Sequence, residues 1–337
     1  MTRYVVAHGG TGSKRSFKDG TDKAVEAGWR AMQMGTPLDA AVAAVAVMED
    51  DERFNCGTGS ALRFDGRTIE MDAACMESDR GYGAVCGIQR VKNPILVAKD
   101  LVALPNNILC GPAAQAFARR RGYADHDPHT KKAEKQWRHL VDRVRKQKAS
   151  REESQWDLPT LERSWNYERP FEEVFGSAKG GIVGGAGTGR SDTVGAVVFD
   201  GNSFAAAAST GGTISTLCGR IGDTATIGAG IFASEHGAVA CSGTGDEILR
   251  MRVATMVDNL LRDGKSAHDA VEQVLKEFPA DLDLCLTVAD KRSYAAGGNR
   301  SFAWSAKGEG ASGSQRRKSV RPSRRETSSR PTARMGR

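Results

Sequence analysis

Aromatic residues make up only 6% of the 337-residue sequence, and no apolar run is long enough to span a bilayer. No leader with a charged start and an apolar centre precedes the first strand-like stretch, so no secretory signal is expected. The seven cysteines are an odd number, with no CxxC and no Cys/His ligand spacing. Neither a zinc site nor a disulfide framework is expected from them, and a reducing cytoplasm fits best. A G-x-S-x-G elbow is missing, and the six histidines sit in a loop, a charged segment and helix surfaces, so no Ser/His/Asp set is apparent. The glycines after the first strand read His8-Gly9-Gly10-Thr11-Gly12. This is not G-x-G-x-x-G, and no acidic residue ends a second strand at the distance a dinucleotide site needs. His8 is read as an anchor of that loop.

One-signed charge is absent from most of the chain, although the net charge is +7. Residues 312–337 carry nine Lys/Arg and one Glu; taking that +8 from +7 leaves about −1 for the rest. A second basic block runs over residues 131–151. No helix-turn-helix, RRM or finger pattern accompanies either block, which weighs against a nucleic-acid partner.

The length allows one large domain or two modest ones, and high glycine suits close-packed strands and tight turns. The stretch that organises the chain runs from Ser191 to Asp223. Residues 194–199 are apolar and β-branched, Asp200-Gly201-Asn202 is a turn, and residues 203–208 return as an Ala-rich strand. Small residues on the return strand predict close packing over it. Thr193 opens the first strand and Thr210 closes the second, so the hairpin brings two hydroxyls together.

Around it, residues 4–7 predict a strand and residues 22–34 an amphipathic helix. Thr36-Pro37-Leu38-Asp39 is a capped start for a helix over 37–49, apolar nearly all round and hence buried against a sheet. Residues 60–64 and 68–73, joined by Asp65-Gly66, predict a hairpin. Residues 83–89 are a strand, and 99–121 two helices about a short extended piece. Residues 124–190 are charge-rich: a solvated basic helix over 131–148, then a mobile linker. Strands follow at 225–232, 237–242, 284–289 and 293–296, with helices at 247–261 and 267–278. Residues 312–337 are read as a disordered basic tail.

Three motifs carry a resemblance: Thr193-Val194-Gly195-Ala196-Val197, Ser209-Thr210-Gly211-Gly212 and Gly219-Arg220-Ile221-Gly222-Asp223. In that order they resemble the isoaspartyl peptidase/L-asparaginase (plant-type asparaginase) family of N-terminal-nucleophile hydrolases, over roughly residues 4–120 and 180–290. The resemblance implies an α+β fold, a four-layer αββα sandwich. It implies self-cleavage between Asp192 and Thr193 into an α-subunit, 1–192, and a catalytic β-subunit, with core 193–311. It implies a homodimer of those pairs.

The expected substrate is a small molecule, L-asparagine or a β-aspartyl peptide. Thr193 is the expected nucleophile, its freed α-amine the base. Thr210 is expected to bond it, and the Ser242 hydroxyl and Gly243 N–H to receive the oxyanion. Arg220 and Asp223 would hold the substrate's carboxylate and ammonium, with Gly245 and Asn55 beside them. No cofactor is implied beyond a structural sodium ion, held by main-chain carbonyls of the loop from Glu49 to Cys56. Two other readings stay open. Asp192 before the threonine favours glycosylasparaginase, and the basic segments would suit a non-catalytic binding protein on a degenerate scaffold.

Overall fold

The computed structural model describes residues 2–145, 156–176, 182–183, 193–310 and 312–317. Asp192 and the glycines of 184–190 lie outside the described residues. The chain runs β1 (Arg3–His8), α1 (Lys18–Met32), α2 (Pro37–Glu49), β2 (Met71–Glu77), β3 (Gly81–Ile88) and α3 (Pro94–Val102). It continues with β4 (Ile108–Cys110), α4 (Gly111–Arg120), α5 (Lys131–Arg145), β5 (Trp156–Asp157), α6 (Leu158–Arg163), α7 (Phe171–Phe175) and β6 (Ile182–Val183). Then come β7 (Val194–Phe199), β8 (Phe204–Thr210), β9 (Ile231–Ala233), β10 (Ala238–Gly243), α8 (Gly245–Met251), α9 (Val253–Arg262) and α10 (Ala267–Glu277). The last are β11 (Leu284–Ala289), β12 (Ser293–Gly298), β13 (Trp304–Glu309) and β14 (Ser312–Arg317).

These strands form a seven-stranded sheet, β13-β1-β7-β8-β2-β3-β4, and a five-stranded sheet, β14-β12-β11-β10-β9. Strand alternation explains why the central hairpin is buried on both faces. Val194, Ala196 and Val198 of β7, with Ala205 and Ala207 of β8, join an apolar cluster with α1, α2 and α3. Val197, Phe199, Ala206 and Ala208 face the other way, into a cluster with Ile231, Ala238 and Ala240 of the second sheet. The alanines are what let a helix and a sheet both approach β8 closely. A third cluster joins α9 and α10 to β10 and β11. The expected cap of α2 is present: Thr36 Oγ1 accepts from Asp39 N, and Asp39 Oδ2 accepts from Thr36 N.

Several expectations are corrected. Residues 60–64 and 68–70 are not a strand pair but a tight turn, in which Arg63 N donates to Thr68 O at 2.8 Å and Gly66 N to Arg63 O at 3.0 Å; residues 71–73 belong to β2. Asp65 Oδ1 instead takes the N–H groups of Arg67 and Thr68, tightening the turn. Of 225–232 only the end is extended, because Thr226 and Gly230 direct their N–H groups to Asp223 O in a tight turn. The helix at 247–261 is two helices, broken where Arg252 takes a left-handed conformation, φ 53°.

The largest correction concerns 131–175. Ala133, Trp137, Leu140, Val141 and Val144 form an apolar stripe at helical spacing, which dense charge obscured in the sequence. Ala133, Val141 and Val144 are buried. With Leu158, Leu161, Tyr167, Phe171, Val174 and Phe175 the helix closes around Phe64. The described part of the charged segment is thus a small helical unit with its own core.

At the other end of the chain, β13, unforeseen in the sequence, pairs with β1 over six residues. The tail boundary also moves. Residues 312–317 are strand β14, parallel to β12 at the edge of the second sheet.

Candidate active site

Val194 pairs with Ser209 in the β7–β8 ladder, so Thr193 and Thr210 face each other at its open end. Both are buried. The contact differs from expectation. Thr210 Oγ1 accepts from Gly212 N at 3.1 Å, while Thr193 Oγ1 lies 3.3 Å from the hydroxyl of Thr224. Thr224 is fully buried and was missed in the sequence. Its signal was position, for it directly follows the Gly-Arg-x-Gly-Asp motif.

That adjacency ties the hydroxyl pair to a charged cluster. Asp223, the residue before Thr224, is buried, and its Oδ2 has no hydrogen-bond partner among the described residues. Burial pushes its carboxyl up to about 7, against the pull of Arg220 and with a further push from Asp72 and Asp246. Arg220 Nη2 rests on Asp246 Oδ1 at 2.5 Å. A Cβ at Gly245 would fall 2.7 Å from Asp223 Oδ1 and 3.1 Å from Arg220 Nη2. Gly245 therefore keeps open the room between a guanidinium and a carboxylate. That arrangement matches a ligand bearing one carboxylate and one ammonium.

On the facing sheet, Ser242 Oγ accepts from Thr11 N at 3.1 Å, and Thr11 Oγ1 donates to Ser242 O at 2.7 Å. The loop after β1 is thereby fixed to β10. Gly243 is required by contact, since a Cβ there would lie 2.0 Å from Asp283 O. His8 is fully buried, and its Nδ1 accepts from Gly10 N at 3.2 Å. Burial holds it down to about 4, so it is neutral, as an anchoring residue should be. Gly195 makes room for it, since a Cβ there would lie 2.4 Å from His8 Nε2.

A brace surrounds these groups. Asn55 Nδ2 donates to Gly212 O at 2.6 Å, its Oδ1 accepts from Ala61 N, and its own carbonyl accepts from Gly211 N. Both ends of the amide are on backbone, so Asn55 holds the loop after Thr210. Arg63, almost fully buried, donates to the carbonyls of Gly211, Thr213 and Glu70. Glu70 in turn accepts from Gly219 N, next to Arg220. The helical unit reaches the same loop. Asn166 bonds Cys218 through both amide atoms, and the Tyr167 hydroxyl donates to Thr216 O.

Glu49 closes the brace beneath β8. Its Oε1 accepts from Ser209 Oγ at 2.6 Å and Ile95 N at 3.1 Å. Burial raises its carboxyl from 4.5 to about 8, with Ser209 and Ile95 opposing. The folded protein then keeps a proton that the unfolded chain releases near 4.5. The stabilisation is full at low pH and fades as pH rises through about 8. Glu49→Gln cannot lose that proton. Its melting temperature relative to wild type should climb between pH 5 and 8 and level off above; a difference flat with pH would show Glu49 ionised in the fold.

The loop from Glu49 to Cys56, expected to hold sodium, meets a different cation. Lys132 Nζ donates to Glu52 O at 2.5 Å, Arg53 O at 3.2 Å and Phe54 O at 3.5 Å. Among the described residues no group of His, Cys, Asp and Glu is arranged to hold a metal, and no helix is long and apolar enough to cross a membrane.

A buried threonine pair at the end of the central hairpin, its second member directly following Asp223, is the candidate site. The chain belongs to the asparaginase family, whose model matches residues 1–298. It is 35% identical over 311 residues to the plant-type L-asparaginase of Pyrococcus abyssi, covering 89% of this chain and 92% of that one. It is 36% identical over 285 residues to the plant-type L-asparaginase of Pyrococcus furiosus, covering 81% and 84%. The isoaspartyl peptidase/L-asparaginase of Mus musculus is 30% identical over 294 residues, covering 84% and 79%.

Proposed function

We propose that the protein hydrolyses the side-chain amide of L-asparagine and of β-aspartyl peptides, with Thr193 as nucleophile. The observation that carries this is the Thr193–Thr224 contact, because Thr224 directly follows Asp223 of the Arg220–Asp223–Gly245 cluster. The activities for which the relatives are named support the same substrates. The two sheets, with one helix cluster on the first and another on the second, support reading the fold as an αββα sandwich. The family resemblance supports a homodimer of cleaved pairs, which sedimentation of the processed protein would test.

In the mechanism, Arg220 pairs with the substrate's α-carboxylate and the Asp223 carboxylate accepts from its α-ammonium. The free α-amine of Thr193 takes the hydroxyl proton, and Oγ1 attacks the side-chain amide carbon. The Gly243 N–H and Ser242 hydroxyl receive the oxyanion. Collapse expels ammonia, or the amine of the following residue, which leaves with the proton held by the α-amine. An aspartyl ester on Thr193 remains. Water, deprotonated by the same amine, opens the ester and regenerates the hydroxyl.

Purified protein should release ammonia from L-asparagine and leucine from β-Asp-Leu; hydrolysis of a glycosylated asparagine in their place would favour the other branch. Thr224→Val keeps the shape and removes the hydroxyl. We expect kcat to fall on the order of tenfold, the worth of one hydrogen bond to the reacting group, with KM little changed. Thr210→Val should cost less. The reverse order in steady-state kinetics would return the role to Thr210.

A further inference from the structure

The carbonyls of residues 52–54 form a small cage of hard oxygens, the kind of site that suits a monovalent or divalent cation. In this chain the cage and a side chain meet. We propose that the Lys132 ammonium is a built-in cation for this loop, replacing a bound metal ion and clamping the helical unit of residues 131–145 and 158–175 to the active-site brace.

Three observations converge. The ammonium has three donors and faces three consecutive carbonyls, Glu52, Arg53 and Phe54. The cage is rigid: a Cβ at Gly59 would lie 1.8 Å from Phe54 O and 2.7 Å from Glu52 O, so the backbone packs directly on these oxygens. The lysine is also fixed at its root. Ala133 beside it is fully buried, its N–H donates to Thr130 Oγ1, and one turn on Trp137 Nε1 donates to Phe64 O at 2.8 Å. A lysine in the first turn of a helix opposes the helix dipole. The carbonyl partners offset that cost.

The same oxygens do not fit a sodium ion as well. An ion there would stand within a few ångströms of the ammonium. Two unit charges about 4 Å apart repel by roughly 4 kcal/mol near a protein surface, which outweighs a weakly held ion. The clamp leads inward. Phe54 precedes Asn55, Asn55 holds Gly211 and Gly212, and Gly212 N donates to Thr210. Lys132 is therefore a positioning residue, and its effect does not depend on which amide is hydrolysed.

The test uses full-length protein and thermal unfolding, with asparagine hydrolysis as a second readout. Sodium chloride is exchanged for choline chloride at constant ionic strength. For wild type we expect one melting temperature in both salts. Lys132→Met keeps the stem and removes the charge. In choline its melting temperature should drop by about 2–4 °C, the loss of a charge-assisted cluster in a chain of this length, and sodium should restore it saturably. A saturable rise of the wild-type melting temperature with sodium overturns the proposal. So does a Lys132→Met protein as stable as wild type in choline, or one that sodium does not restore. Should that variant not accumulate in folded form, the wild-type titration decides alone: a flat response supports the clamp and a saturable one removes it.

Discussion

Thr193→Ala should accumulate as one folded chain of 337 residues, while wild type yields fragments 1–192 and 193–337. The variant should release no ammonia. In the uncut chain the Thr193 nitrogen is an amide and cannot act as base. In the proposed cleavage the Thr193 hydroxyl would add to the Asp192 carbonyl, the C–N bond would break, and the nitrogen would leave as an amine carrying the proton. The resulting ester would join Asp192 to Thr193 Oγ1, and water would open it to a carboxylate and the free hydroxyl. Every later turnover would use the amine released here. Alanine has no hydroxyl, so both reactions stop at the first step.

The variant should still fold. Thr193 Oγ1 makes a single described contact, to Thr224, so its loss removes about 1 kcal/mol. The cut products should also stay together. β7 and β8 follow the cut and lie between β1 and β2, which precede it. β7 pairs with β1 over five residues and β8 with β2 over six. Separation would break both ladders. Thr193→Ser should keep part of each activity. A denaturing gel with N-terminal sequencing of the smaller band checks the whole chain of argument. An active enzyme whose Asp192–Thr193 bond is intact would sink it.

The sequence carried the central hairpin well because β-periodicity, a turn and small residues all agreed there. The apolar run 194–199 coincides with β7, although Thr193, expected to open the strand, lies just before it, and the capping pattern fixed α2. The site was legible where its chemistry is contiguous, from Gly219 to Asp223. It was not legible where a role depends on two distant segments meeting. Thr224 gained its role only when the loop after Asp223 folded back on the start of β7. Asn55 was placed beside the substrate groups by its motif, and its bonds to Gly212 and Ala61 across the fold could not be read there. Lys132 read as one more charge in a basic block, because nothing in the local sequence shows that three carbonyls some 80 residues earlier await it. The helical unit was hidden for a similar reason. Its apolar stripe has the right period but is outnumbered by lysine, arginine and glutamate.

Arg220→Lys should lower kcat/KM for L-asparagine by about 100-fold, mostly through KM. The guanidinium lies close over glycine: a Cβ at Gly222 would be 2.9 Å from Nη1, and one at Gly245 would be 3.1 Å from Nη2. Its planar face is thus held in one orientation, with Asp246 steadying Nη2 from the exposed side. A carboxylate entering beside Asp223 would accept two parallel bonds from that fork. Lysine offers a point charge on a flexible stem and would have to reach past both glycines. Losing one charge-assisted bond and the fixed geometry costs roughly 2–3 kcal/mol, which is the expected factor. The cut must first be verified on a gel, so that a defect in processing is not mistaken for one in binding. A substrate lacking the α-carboxylate, 3-aminopropanamide, separates the causes. Wild type should handle it poorly, and Arg220→Lys should handle it no worse than wild type does. Equal losses on both amides would mean that Arg220 shapes the loop without touching the carboxylate. Near-normal kinetics on asparagine would remove it from the site altogether.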